Sequence, residues 1–225
     1  MKLSYLITTK NETDTLLRLL QKLHTATIDT ENEVVILDDY SDNNETINIL
    51  NDYKNKPNFK LYHDGLNNNY GRHKNVGIEK CSGNWIFQLD GDEYPSDLIV
   101  GDNLISIIES NNVEAIALPR INDFKGVQSD HAQAWGWTLT ISKTYKSPII
   151  NWPDYQFRVF FKDYPRISYL RRLHEKIEGY GNYALLPADE DYAIYHDKNI
   201  EKQIRTNLKY NEVFTKEENM GHRIV

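Results

Sequence analysis

With 225 residues, 40% hydrophobic and 26% charged, the chain can bury a full core and lacks the composition bias of disordered or fibrous sequences. Its net charge of −7 opposes the counterion displacement on which nucleic-acid binding depends, so no nucleic-acid partner is expected. Cys81 is the only cysteine, which excludes an intrachain disulfide and a thiolate metal cluster. No apolar run approaches the roughly 20 residues of a membrane span, and the start MKLSYLITTK lacks the apolar stretch of a secretory leader. One domain with an appended region, in the cytoplasm, is the expectation.

The first half alternates two hydrophobic periods. Residues 3–8 read as a strand and 13–24 as a helix, with Leu16, Leu20 and Leu23 on one face and Asn11 as its N-cap. The continuous apolar run 34–37 suits a strand buried on both faces. A helix over 46–53, a strand over 59–63, the polar loop DGLNNN, a helix over 72–80 and a fourth strand over 85–89 follow. The spacing of Leu98, Ile99, Leu104, Ile105 and Ile108 predicts a helix over 96–109, and 115–118 makes a fifth strand. Such alternation needs crossover connections, so the fold class is α/β: a mainly parallel sheet with helices on both faces. From Ile121 the pattern becomes irregular and aromatic-rich, with strand-like pieces at 157–161 and 192–196 and a final helix over 200–214. That helix carries Ile200, Ile204 and Leu208 on one side, as if to pack on the sheet. The chain thus divides into residues 1–120 and an acceptor-facing half, 121–225.

In an open parallel sheet, ligands bind at the carboxyl ends of the strands, and here those ends are acidic. The first ends in Thr8-Thr9-Lys10-Asn11-Glu12, the second in Asp38-Asp39-Tyr40-Ser41, and the fourth in Asp90-Gly91-Asp92-Glu93. Neither G-x-G-x-x-G nor G-x-x-x-x-G-K-[ST] accompanies a strand, which counts against dinucleotide cofactors and P-loop chemistry. Asp90 and Asp92, two apart in extended backbone, project to one side and can share Mg²⁺ or Mn²⁺, which in turn binds a diphosphate. Gly91 between them lets a phosphate or ribose approach. Glu93 reads as the N-terminal charge of the helix that follows. Asp38, Asp39, Ser41 and Asp42 are candidate caps for the next helix; alternatively Asp39 accepts a hydrogen bond from a uracil ring N–H.

The series LITTKNE, ILDDYSDN, GRHKNVGIEKCSGNWIFQLDGDE, RRLHEKI and AIYHDKN resembles the GT-A fold glycosyltransferases of family 2, most of all the lipopolysaccharide-core type with D-x-D and H-E motifs. The resemblance is specific over about residues 1–110 and looser over 155–215. It implies a Rossmann-like GT-A domain that moves a sugar from a nucleotide diphosphate, with UDP favoured, onto a glycan or lipid-linked acceptor with inversion. It implies that Thr8, Thr9, Lys10 and Glu12 line the nucleotide pocket, that Asp39 holds the uracil, and that Lys74 sits near the ring and phosphates. Asp90 would then contact ribose and metal, and Asp92 would be the main ligand of Mn²⁺ or Mg²⁺. Thr8 stands where the family often has proline, Tyr40 where it often has glycine, and Lys74 where many members have arginine.

Transfer of a sugar also needs a base for the acceptor hydroxyl. The H-E motif implies that Glu175, after His174, fills this role; an ion pair with Arg171, Arg172 or Lys176 is the plainer account of that side chain, and Asp154 and Asp189 are reserve candidates. His196 ends the run Tyr192-Ala193-Ile194-Tyr195 and suits Mn²⁺ beside carboxylates. Arg72, Arg158, Arg171 and Arg172 offer guanidinium groups for a diphosphate. Trp135, Trp137, Trp152 and Tyr155 offer flat faces to an acceptor sugar or fill a core. A D-x-D phosphatase and a non-catalytic sugar-nucleotide binder are the competing readings. In the phosphatase class the motif usually follows the first strand rather than the fourth. A peripheral contact with a membrane stays open.

Overall fold

A computed structural model of the chain describes residues 1–163 and 166–219. The first strand, β1 (Leu3–Thr9), is buried along its whole length and leads through a loop into α1 (Asp14–Thr27). The buried leucines of α1 fall at 16, 19, 20 and 23, the i, i+3, i+4 spacing that gives a helix one apolar face. Next come β2 (Glu33–Asp38), α2 (Asn44–Tyr53), β3 (Phe59–His63), α3 (Tyr70–Lys80) and β4 (Trp85–Asp90). The Asn43 side chain caps α2 by accepting from the Glu45 and Thr46 N–H groups, and Asn69 caps α3 through Arg72 N–H.

Two boundaries differ from the sequence expectation. Asn11 does not cap α1: its φ is 55°, Thr13 is the N-cap residue, and the Asn11 amide instead accepts from the Asp42 and Asn43 N–H groups. It ties the end of β1 to the end of β2. The helix expected over 96–109 is broken. Its start is taken by a short 3-10 turn, Asp97–Ile99, which follows the strand β5 (Glu93–Pro95). The α-helix α4 (Gly101–Ser110) begins only at Gly101, whose φ of 55° favours glycine and whose N–H donates to the Tyr5 hydroxyl.

After β6 (Ala115–Leu118) the chain forms β7 (Arg120–Lys125), α5 (Ser129–Trp135), β8 (Leu139–Ile141) and β9 (Pro148–Ile150). It then runs through β10 (Gln156–Phe161), β11 (Ser168–Leu170), β12 (Lys176–Glu178), β13 (Tyr183–Leu185), β14 (Ile194–Asn199) and α6 (Ile200–Val213). The main sheet has the order β13-β6-β10-β4-β1-β2-β3. Strands β3, β2, β1 and β4 run parallel, whereas β10 inserts antiparallel between β4 and β6. A central strand of this sheet therefore comes from the second half of the sequence. Helices α1, α2 and α4 bury their apolar faces on one side; on the other, Ile78 of α3 packs with Tyr169 and Ile177 of the β11–β12 hairpin.

A second sheet, β5-β14-β7-β9-β8, lies beside the carboxyl end of β4. Helix α6 follows β14 directly, and its packing departs from the expected pattern. Ile200 is buried but Leu208 is half exposed, while Asn207 between them is buried. The inward face is the one carrying Lys202 and Thr206. Among the described residues no helix is long and apolar enough to cross a membrane.

At the opposite end of the main sheet, Glu33 is 3% exposed, accepts from Ser4 Oγ at 2.6 Å and pairs with Lys60 Nζ at 2.6 Å. Burial pushes its carboxyl up, but hydrogen bonds from Lys60, Ser4 and Ser82 outweigh this and hold it at about 2. A carboxyl depressed on folding adds stability above its ordinary value of 4.5, and that stability is lost as pH falls through the folded value. Resistance to urea should therefore fall between pH 4.5 and about 2, and Glu33→Gln, less stable at neutral pH, should lose less across that window. Equal pH slopes for the two proteins would remove Glu33 from this account.

Candidate active site

The parallel register sets the strand ends side by side, with Thr8 opposite Asp90 and Thr9 opposite Asp38. They open on a cavity of about 340 Å³ between the sheet and α6. Thr8, Thr9, Lys10, Glu12, Asp39, Lys74, Asp90, Gly91, Asp92, Glu175 and His196 all line it. Eleven sequence-expected site residues spread over nearly 190 positions thus meet at one place. Arg72 does not join them: it pairs with Asp64 and donates to the Gly65 carbonyl, outside the cavity. Arg171 and Arg172 are exposed, and Arg172 pairs with Glu218.

Asp39 sits at one end, where its carboxylate accepts from the Leu66 N–H at 2.9 Å and from Lys10 Nζ at 3.2 Å. It caps no helix. Asp38 turns away, accepting from the Ser41 N–H and hydroxyl. Tyr40 has φ 49° and stacks on His63, so the position where glycine is common in the resembled family is one that favours glycine conformationally.

Asp90 and Asp92 do not share a direction, because the chain turns at residues 91 and 92 between β4 and β5. Asp90 faces Lys74 at 3.0 Å and Arg158 Nη2 at 2.9 Å, and also accepts from the Thr8 hydroxyl and Gln88 amide. Burial pushes its carboxyl up, but Lys74 and Arg158 overcome that and hold it well below the usual carboxylate range. Asp92 faces His196 Nε2 at 3.5 Å, Lys198 at 3.7 Å and Lys202 at 3.9 Å, and it too is lowered against its burial, chiefly by Lys198. His196 is held below the ordinary imidazole range by burial first and by Lys198 next. Gly91 has a reason other than ligand approach: a Cβ there would lie 2.5 Å from the Thr9 hydroxyl oxygen. Glu93 caps no helix. It is fully buried in β5, accepting from Arg158, Arg120 and the Asp90 N–H.

Glu175 pairs with Lys74 Nζ at 2.7 Å rather than with its arginine neighbours. Lys74 is 3% exposed and bridges Glu175 to Asp90; burial pushes the pKa of its ammonium down, but the two carboxylates push it up by more and hold it above the usual lysine range. Asp154 is held by Arg120, and Asp189 caps a short turn after β13. Glu175 also borders a second cavity of about 710 Å³, lined in part by Asp154, Tyr155, Phe157, Tyr169 and Tyr180. Of the aromatic residues singled out in the sequence, only Tyr155 borders it; Trp152 packs against the small core of Ile121 and Ile149, and Trp135 and Trp137 form a half-buried ladder with Phe124.

The sequence reading missed Lys198, Lys202 and Lys209, which line the first cavity, and Tyr70 and Tyr210, whose hydroxyls meet across it at 3.1 Å. A signal existed, since Lys202, Thr206 and Lys209 stand at i, i+4 and i+7 on one helical face. Among the described residues no group of three or more His, Cys, Asp or Glu side chains is gathered to hold a metal ion. Asp92 and His196 come together; Asp90 is taken by its two cations.

A chain with alternating strands and helices, a mixed sheet of this order and a cavity at the carboxyl ends of its parallel strands falls in the class of open-sheet α/β domains. More narrowly, the model of the family "Glycosyl transferase family 2" matches residues 4–177, and the chain belongs to that family. Among solved structures, S. aureus TarS residues 1–349 in complex with UDP-GlcNAc superposes with a TM-score of 0.62 at 20% identity, over 88% of this chain and 59% of that one. The complex of the same TarS fragment with UDP gives 0.60 at 19% identity, over 92% and 63%. The chain thus spans about three-fifths of the TarS fragment, and the likeness is one of fold. No curated protein matches the chain.

Removing the buried cation between Asp90 and Glu175 leaves two partly buried carboxylates short of a partner. Lys74→Met should therefore cost about 3–5 kcal/mol of stability in urea denaturation. A loss below about 1 kcal/mol would show that Arg158 and solvent suffice.

Proposed function

We propose that the protein transfers a sugar from a nucleoside diphosphate donor, with UDP favoured, to a hydroxyl of a glycan or lipid-linked saccharide, with Glu175 as base and inversion at the anomeric carbon. The observation that carries this reading is the convergence on one cavity of Asp39, Asp92, His196 and Glu175, from four separate segments. The family assignment agrees, as does the superposition on a protein whose solved forms carry UDP-GlcNAc and UDP.

Asp39 would accept from the base N–H, with Thr9, Lys10 and Glu12 around the nucleoside. Asp92 and His196 offer a carboxylate oxygen and an imidazole nitrogen to the same space, a donor set that fits Mn²⁺ and, less closely, Mg²⁺. When bound, the cation supplies positive charge to the departing diphosphate. Lys198, Lys202 and Lys209 supply more of it from the chain itself. The Glu175 carboxylate, positioned by Lys74, takes the proton from the acceptor hydroxyl as the new C–O bond forms and the bond to the diphosphate oxygen breaks. Since Glu175 borders both cavities, the acceptor enters through the larger one, where Tyr155, Phe157 and Tyr180 offer ring faces to a saccharide. Asp90, with both oxygens held, suits anchoring rather than the nucleophilic attack of a phosphatase.

UDP, GDP and CDP, each with Mn²⁺ and with chelator, test the donor site by thermal unfolding. A nucleotide present at about 100 times its Kd adds about 2.7 kcal/mol, or roughly 5–10 °C for a chain of this size. The expected result is such a rise for one nucleotide, with Mn²⁺ only, lost in Asp92→Ala. Glu175→Gln should keep the rise and lower transfer by about 10²- to 10⁴-fold. A rise without any turnover would favour a non-catalytic binder, and no rise with any nucleotide would overturn the donor site.

A further inference from the structure

His196 on β14 stands in register with Asn122 on the parallel strand β7, both buried, and the histidine Nδ1 lies 2.8 Å from Asn122 Oδ1. Which end of that amide faces the ring is fixed by what the other end touches. Asn122 Nδ2 is 2.9 Å from Asp154 Oδ2 and 3.4 Å from the Ile150 carbonyl oxygen. Both are acceptors, so turning the amide over would set its oxygen against a carboxylate and a carbonyl. The amide oxygen therefore faces the ring, and having no proton to give, it requires that Nδ1 carry the hydrogen. Asp154 is itself immobilised: Arg120 Nε and Nη2 donate to Oδ2 at 2.9 and 2.6 Å, and Gln156 donates to Oδ1 at 2.8 Å.

In the neutral ring this tautomer leaves the lone pair on Nε2, which lies 3.5 Å from Asp92 Oδ2. Two electron-rich atoms face each other there, an arrangement that needs positive charge beside it: Lys198 and Lys202 reach the same Asp92 oxygen only at 3.7 and 3.9 Å, and neither is placed between the two atoms as a shared cation would be. Had Nε2 carried the hydrogen, it would donate to Asp92 and the pair would be a closed, self-satisfied contact.

We propose that Asn122 and Asp154 are positioning residues that preset His196 as a metal ligand, fixing the tautomer whose Nε2 joins Asp92 in taking a divalent cation. Their action rests on the metal-dependent transfer read above, and it is complete before any donor arrives. Asp154, a reserve candidate for the base, here acts two hydrogen bonds behind the His196 ring. Outer partners of this kind orient a ligating histidine and raise its basicity, and their loss typically weakens metal binding by 10- to 100-fold.

Long-range ¹H–¹⁵N correlation of the histidine rings in the metal-free protein, with His196→Gln identifying the signal, reads the tautomer without any other variant. The Nδ1–H form is expected, and an Nε2–H form in the wild-type protein would overturn the proposal. In Asn122→Leu the ring should turn to Nε2–H. Titration with Mn²⁺, alone and with UDP, followed by electron paramagnetic resonance, should show about 10- to 100-fold weaker binding in Asn122→Leu. The exchange Asn122→Asp with Asp154→Asn restores an acceptor for Nδ1–H and a donor behind it, and should recover most of that loss. Unchanged Mn²⁺ affinity in Asn122→Leu would overturn the positioning role and leave the metal reading standing, whereas no Mn²⁺ binding by the wild-type protein would end both.

Discussion

Lys74 has to exist as a buried cation for the two halves of the site to meet. It extends from α3 to touch Asp90 at the end of β4 and Glu175 before β12, and Asp90 in turn holds Arg158 of β10. From there the alternation continues through Glu93 to Arg120 and Asp154. Isolated, any one of these charges is costly to take out of water; arranged in alternation, each supplies the field that keeps its neighbours ionised. The network joins α3, the main sheet and the second sheet at the point where their edges converge, so the wall of the cavity and the architecture use the same side chains.

This explains why Asp90 and Asp92, separated by one residue, have different surroundings. The turn at Gly91 sends the two carboxylates to different partners on the wall of one cavity, Asp90 to Lys74 and Arg158, Asp92 to His196 and Lys198. A motif of two aspartates therefore encodes two separate sets of partners, Lys74 and Arg158 for Asp90, and His196, Lys198 and Lys202 for Asp92. Arg158 of β10 is tied to Asp90 and Glu93, and it borders the larger cavity beside Tyr155 and Phe157.

Much of the first half was legible because its signals are local. Apolar runs such as 34–37 mark strands, leucine spacing marks α1, and the rule that ligands gather at strand ends located Thr9, Asp39 and Asp92. What the sequence hid was pairing. Nothing in Phe157-Arg158-Val159-Phe160 says that it lies antiparallel between β4 and β6, since an apolar run specifies burial and not its neighbours. Arg72 and Lys74 are two residues apart in one helix, which turns them to different faces, one toward Asp64 at the surface and the other inward to Asp90. Glu93 and Asn11 misled for the same reason: both are common at helix starts, yet each serves a contact distant in sequence. The cavity-facing side of α6 was concealed by a conventional apolar stripe on its other face.

The place of β10 also bears on how the chain is made. Until residue 161 has left the ribosome, the edges of β4 and β6 have no strand between them, and the charges of Asp90 and Glu93 lack Arg158. Helices α1 to α4 and the four parallel strands can gather earlier, but β4 and β6 are joined only when a segment nearly seventy residues downstream of β4 returns to the middle of the sheet. A nascent chain halted before that point exposes two sheet edges with unpaired backbone groups, the form most open to chaperones and to aggregation.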